Sequence, residues 1–286
     1  MGHKLATGMD RQSMSVNKVS SRLDWEDVIW KDPDGGSIIL HGVLPTIVFP
    51  RKLRPSYEWH GLGLLESDDI VELWTQEEKD EAESQGVNRS HALISGGTMA
   101  LYLDELIELE DIPSGRFPDP EPRRVHRLAI RHNRPVYFIE PSFDDENWEE
   151  HMIKEAKEVS RWKKLWGLIS LGGKWRKRVK KNIFEAKKPP KGIGANFASA
   201  SVLAATWWDL NEWLIGEKIS LSRNERFAKR LRGALADLRK THGDEAILLV
   251  PMAMPWRVQI LSSLDLCSEV EEISSNTTDS INMEEE

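Results

Sequence analysis

The chain has 286 residues, a formal net charge of -8, twelve tryptophans and a single cysteine, Cys267. That length supports one large α/β domain with tails, and the acidic balance argues against a dedicated nucleic-acid binder. One cysteine excludes an intrachain disulfide framework and a cysteine-built zinc cage, in keeping with a reducing, cytoplasmic setting.

In chain order, residues 1–21 are polar and Ser-rich, with no signal-peptide core, and are expected to be disordered. A single domain is expected over 22–264, followed by an acidic disordered tail over 265–286. No stretch approaches the roughly 20 apolar residues of a spanning helix, so the protein is read as soluble or peripheral at a membrane. The turn signal Asp32-Pro33-Asp34-Gly35-Gly36 precedes a predicted strand, Ser37 to Leu40. Further strands are predicted at Ile70 to Trp74, Pro135 to Ile139 and Ala246 to Val250. Helical spacing predicts helices over Thr98 to Leu109, Arg123 to Asn133 and Ser201 to Gly216, with Gly115 to Pro122 as a Pro-rich connector. Arg223 to Leu231 reads as an amphipathic helix, and Pro251 to Trp256 as a turn after the last strand. This alternation predicts an α/β fold with a mixed central sheet and flanking helices.

Residues 161–191 form the strongest charge signal. Lys163, Lys164, Lys174, Arg176, Lys177, Arg178, Lys180 and Lys181 are among the basic residues there, against one acid, Glu185. Trp162, Leu165, Trp166 and Ile169 share a helical face, Gly172-Gly173 is expected to break the helix, and Trp175, Val179 and Ile183 resume the pattern. An anionic lipid surface fits basic residues beside tryptophan; nucleic-acid phosphate is disfavoured by the overall charge. The plainer expectation is a helical hairpin whose Trp face packs on the protein's own core. An acidic patch on another copy, hence a homo-oligomer, or an unknown protein partner also fits.

No His-Glu-x-x-His, Walker or Gly-x-Ser-x-Gly motif occurs, and Gly61-Leu62-Gly63 is an incomplete dinucleotide fingerprint. His151 and Glu155 stand at i, i+4 and read as a surface pair rather than metal ligands. Asp104, Glu105 and Glu108 read as a solvated helix face. His41 and His60 are better placed, beside candidate strand ends.

Four blocks resemble the TraB/GumN family, related to the Tiki, erythromycin-esterase and ChaN-like proteins. They are Ile38 to Gly42, Ile70 to Leu73, Pro135 to Pro141 with Trp148 and Trp162 to Trp166, and Arg223-Asn224 with Ala228 and Leu231 running to Val250. The resemblance covers roughly 37–264 and implies two Gly-x-x-His motifs and a strand-end glutamate that hold a metal. Here Pro45 stands three residues after Gly42, and Pro251-Met252-Ala253-Met254 lacks both glycine and histidine. Proline cannot ligate a metal, and a thioether suits soft ions. The resemblance therefore implies lost metal chemistry, with no metal or cofactor, and a binding or regulatory role. Gly42, Arg223 and Asn224 are the candidate ligand-binding residues; Asn224 as a helix cap, with Glu72 as the counter-ion of Arg223, is the structural alternative. A divergent hydrolase using Glu72 with His41 or His60 is the second functional expectation.

Overall fold

The computed structural model describes residues 21–276. Its elements run β1 (Val28–Lys31), β2 (Ser37–Val43), β3 (Gly61–Leu64), α1 (Ile70–Glu83), α2 (Val87–Ser95), α3 (Gly97–Ile107), α4 (Pro120–Arg131) and β4 (Val136–Phe138). Then come α5 (Glu146–Val159), α6 (Trp162–Ile169), α7 (Leu171–Ile183), α8 (Asn196–Ile215), α9 (Glu217–His242), β5 (Ile247–Ala253) and α10 (Arg257–Leu266).

One mixed sheet has the order β1-β2-β5-β3-β4. Only β1, at the edge, is antiparallel; β2, β5, β3 and β4 run parallel. Parallel strands are covered on both faces, which is why β2 and β5 read as continuous apolar runs rather than alternating ones. Alternate residues divide between the two faces. Ile38, Leu40, Leu248 and Val250 pack with Phe227, Leu231 and Leu235 of α9, while Ile39, Leu62 and Leu249 pack with Val125 and Ala129 of α4. Helix α8 is apolar around most of its circumference and is buried in a third cluster. It meets α3, Trp175 of α7 and the chain leaving β2 at Val43, Leu44 and Ile47, beyond the carboxyl edge of the sheet.

Three of the four predicted strands and the three long predicted helices form near their expected bounds. Ile70 to Trp74 does not form a strand; it opens α1, in which Trp74 is the buried residue. A run of helix formers, Glu77 to Glu83, continues from it and wins over the short β-leaning start. The strand in that part of the chain is Gly61–Leu64, whose two glycines hide it from propensity although it is buried throughout. Edge strand β1 was likewise not expected. Pro251 to Ala253 remain in β5, and the turn is a short 3-10 segment over Met254–Trp256. The break in the basic segment falls at Ser170, and Gly172-Gly173 lie in the first turn of α7.

The C-terminal boundary also shifts. Asp265 and Leu266 end α10, and residues 267–276 lie along α9 as a strap. The Glu271 amide donates to the Lys229 carbonyl at 3.1 Å, and its carboxylate meets Arg226 and Arg230 at 3.1 and 3.0 Å. The strap passes so close to Gly233 that a Cβ there would lie 1.8 Å from the Glu271 carbonyl oxygen. Its carboxylates thus serve as counter-ions for α9, which explains an ordered segment of disorder-like composition. The expected disorder of residues 1–20 and 277–286 lies outside the described residues.

Candidate functional site

The carboxyl ends of β2, β5 and β3 open onto a crevice of about 270 Å³. It sits where chain order and strand order diverge, because β5 is inserted between β2 and β3; such switch points are the usual ligand clefts of open α/β sheets. The ladder between β5 and β2 continues to Ala253, but β3 pairs with β5 only at Gly61–Leu248 and Leu62–Leu249. Pro251 has no N–H to contribute, and the two strands part there. Pro45 and Thr46 after β2, Leu65 and Glu66 after β3, and Pro251 and Met252 in β5 line the gap. Trp74 and Glu77 of α1, Asp119 before α4, Trp207 and Trp208 of α8, and Trp256 close it.

Among the described residues, three carboxyl groups line this space and no Lys, Arg or His does. Asp119 is pushed up to about 7 by burial, with the amides of Thr46 and Glu121 acting in the opposite direction. Glu66 is also pushed up to about 7, by the protein packed around it and then by Glu140, Asp119 and Asp69. Its side chain is exposed at the mouth of the crevice, where water screens part of that effect. Burial raises Glu77 as well, against the pull of Arg123. The result is an apolar, tryptophan-walled crevice whose polar groups are carboxyls shifted toward their protonated forms.

The aromatic wall is held from behind. Asn224 is buried within α9, far from either helix end, and its Oδ1 accepts a hydrogen bond from Trp256 Nε1 at 2.9 Å. Arg223 lies over Trp256 and Trp208, 4.8 and 5.6 Å from their ring centroids, and pairs with Glu212 at 2.8 Å. Asn224 is therefore not a cap, and the counter-ion of Arg223 is Glu212, not Glu72. Both residues position the crevice wall, and neither is among the residues that line it. Gly42 is also absent from the lining; the Arg257 guanidinium packs against it and donates to the carbonyls of Met254, Glu26 and Asp24.

The hydrolase constellation does not assemble. Glu72 is exposed on α1 and does not line the crevice. His41 is buried inside β2, its Nδ1 bonded to Asp27 Oδ1 at 2.8 Å, with Nε2 left without a partner. His60 precedes β3 at the opposite edge of the sheet, stacked on His242 at 4.2 Å, and its Nδ1 accepts from the Ile247 amide at 3.0 Å. Pro45 and Met252 do reach the crevice, whereas Met254 is buried in the helical cluster. The strand-end acid is Glu66, six residues before the expected Glu72. Its only sequence signal is an acid closing the apolar run Gly61 to Leu65, a run whose two glycines weaken it as a strand. Asp119, Glu77 and Trp207 are brought in by tertiary packing and carry no local motif.

The basic segment folds as a helical pair around Trp213. Gly167 faces this indole so closely that a Cβ would lie 2.5 Å from the ring. Lys164, Lys174 and Arg178 stand over the same ring at 4.9, 5.1 and 5.9 Å, and Lys174 also donates to the Gly167 carbonyl at 3.0 Å. These three cations turn inward and are corrections to the expected anion-binding set. Trp175 is a fourth, buried and donating from Nε1 to Glu105 at 2.6 Å. Glu105 is thereby committed to α7 rather than to a cation.

The opposite side of α6 is bare. Trp162, Trp166 and Ile169 are 70, 56 and 75% exposed, and Leu165 is exposed beside them. The expected packing of this face on the protein's own core does not occur. On α7, Arg176, Lys177, Lys180 and Lys181 share the i, i+1, i+4, i+5 spacing of one helix face and are exposed. Among the described residues no acidic side chain pairs with these four or with Lys163.

Among the described residues, no three His, Cys, Asp or Glu side chains are arranged to hold a metal ion, and no described helix is long and apolar enough to cross a membrane. The donor set at the crevice does not fit the metal that a TraB/GumN resemblance implies: Pro45 stands at the position of one expected histidine, and Met254, at that of the other, is buried in the helical cluster and does not line the crevice. Comparisons with protein-family models, curated proteins and solved structures found no match.

Proposed function

We propose that this chain is a non-catalytic, TraB/GumN-like α/β module that docks on an anionic lipid surface through α6 and the outer face of α7. The observation that carries the reading is the inverted attachment of α6. An amphipathic helix of a globular protein buries its apolar stripe. Here Gly167 and Lys164 face the protein, at Trp213, while Trp162, Leu165, Trp166 and Ile169 face outward. An apolar stripe directed at water destabilises the free protein and is offset when it enters a lipid interface. Tryptophan suits that interface because its ring is amphipathic.

The unpaired cations of α7 support the same surface. Each Lys or Arg near an anionic headgroup layer contributes about 1 kcal/mol. The net charge of -8 sits elsewhere on the chain, so attraction is local and orients the module with α6 and α7 toward lipid. The family ancestry rests on the parallel pairing of β2 with β5, which brings the Pro45 turn and Pro251-Met252 to one strand-end crevice.

Co-sedimentation with vesicles tests the function. Binding to phosphatidylserine-containing vesicles, much weaker binding to phosphatidylcholine alone, and release by high salt are the expected results. Equal sedimentation with both lipids, or with neither, contradicts the reading.

A further inference from the structure

The strand-end crevice has no part in the lipid docking proposed above. Its walls are tryptophan, its polar groups are carboxyls, and no cationic side chain among the described residues lines it. Acidic groups alone would not make a site. One further lining residue, Trp208, is only 7% exposed and keeps its Nε1 without a partner. One carboxylate oxygen of Asp119 is also buried and unpartnered. Buried polar groups left unpaired are costly, and two at one cleft point to a missing ligand. Thr46, also in the lining, is held at a φ of +60°, an uncommon conformation for a β-branched residue, and one that strained binding loops retain.

We propose that this crevice binds a small organic cation, with Glu66, Glu77 and Asp119 supplying the opposite charge and Trp207, Trp208 and Trp256 the aromatic wall. Aromatic faces attract ammonium groups through the ring quadrupole, and the attraction strengthens when the site is desolvated. Arg223, which does not line the crevice, lies 4.8 and 5.6 Å from the Trp256 and Trp208 centroids, so these rings already take part in cation–π contacts. The volume of about 270 Å³ lies just under the roughly 300 Å³ at which pockets for drug-sized ligands begin, which favours a ligand of amine or amino-alcohol size. A free hydroxyl on that ligand would accept from the unpartnered Trp208 Nε1.

Titration calorimetry on the full chain is the test, with choline, tetramethylammonium and butylammonium as cationic probes and 3,3-dimethylbutan-1-ol as the uncharged isostere of choline. At least one cation is expected to bind, and the uncharged isostere to bind at least about tenfold more weakly than choline. Glu66→Gln, an exposed position with no side-chain hydrogen bond to lose, is expected to weaken the bound cation about tenfold while the chain keeps a cooperative melting transition. Glu77→Gln provides a second variant from another element. Equal affinity for choline and its isostere, unchanged affinity in both variants, or no saturable heat with any of the three cations would overturn the proposal.

Discussion

Asn224 and Trp256 are joined by a buried hydrogen bond, indole Nε1 to amide Oδ1, 2.9 Å long. The bond fixes the plane of one crevice wall from the interior of α9. Asn224→Ala removes the acceptor and leaves the indole N–H unpaired among apolar groups. The expected loss is about 1–3 kcal/mol, read as a lower urea midpoint with an unchanged slope. An unchanged midpoint would mean that the wall is held by Arg223 and packing alone.

Arg232 forms a two-pronged pair with Asp32, at 2.9 and 3.0 Å, with both side chains buried. Losing Asp32 leaves Arg232 only the exposed Asp34, 2.7 Å away, and the Cys267 carbonyl, so the cost is expected near the lower end of the about 3–5 kcal/mol of a broken buried pair. Asp32→Ala is therefore expected to be among the most destabilising single changes in the chain. Replacing both residues with apolar ones, Asp32→Leu with Arg232→Met, is expected to recover most of the loss in a denaturation midpoint.

The raised carboxyls set the sign of the pH dependence. Asp119, pushed up from 3.8 to about 7 by burial, binds a proton in the folded state that the unfolded state has already released between those values. Glu66, Glu77 and Glu121 face it or lie close by and add like charge. Stability is thus expected to fall as pH rises from about 4 to 7. At the acid end Asp145 acts oppositely: its hydrogen bond from Arg226 holds it down at about 2, and its contribution disappears as pH falls below about 4. Urea midpoints at about pH 4 and 7 measure the slope, and Asp119→Asn should flatten it. A midpoint that rises toward about pH 7 contradicts this assignment.

Gly233 sits under the strap at Glu271, where a Cβ would lie 1.8 Å from a backbone oxygen. Gly233→Ala must lift the strap from α9 and separate Glu271 from Arg226 and Arg230. Amide exchange at Glu271 and Asn276, whose N–H groups donate to Lys229 and Val136, is expected to become fast while the central strands stay protected.

How much of this was legible in sequence follows from what each residue depends on. The apolar runs of β2 and β5 and the stripes of α3 and α8 announce themselves, because burial on a regular element imposes a period. Gly61 to Leu64 does not, since two glycines carry no side-chain signal and only the neighbours make it a strand. Misplacing that strand moved the expected strand-end acid from Glu66 to Glu72. The exposed stripe Trp162, Leu165, Trp166 and Ile169 was visible as a stripe, but its direction was not. Direction depends on Gly167 meeting Trp213, a contact between residues 46 positions apart. For the same reason the inward turn of Lys164, Lys174 and Arg178 could not be read from a charge count.

The cations that remain outward make a graded prediction. Lys177→Gln with Lys181→Gln removes two charges worth about 1 kcal/mol each, so binding to anionic vesicles should weaken about 30-fold. Glutamine at two exposed helix positions should leave the melting temperature nearly unchanged.

Quenching of tryptophan fluorescence by brominated lipid addresses the docking face most directly, because it reports which indoles enter the bilayer. With brominated, phosphatidylserine-containing vesicles, quenching is expected in the native chain and expected to vanish in a Trp162→Ala, Trp166→Ala variant whose fold is intact. Quenching that persists in that variant, or none in the native chain, would contradict lipid docking through α6.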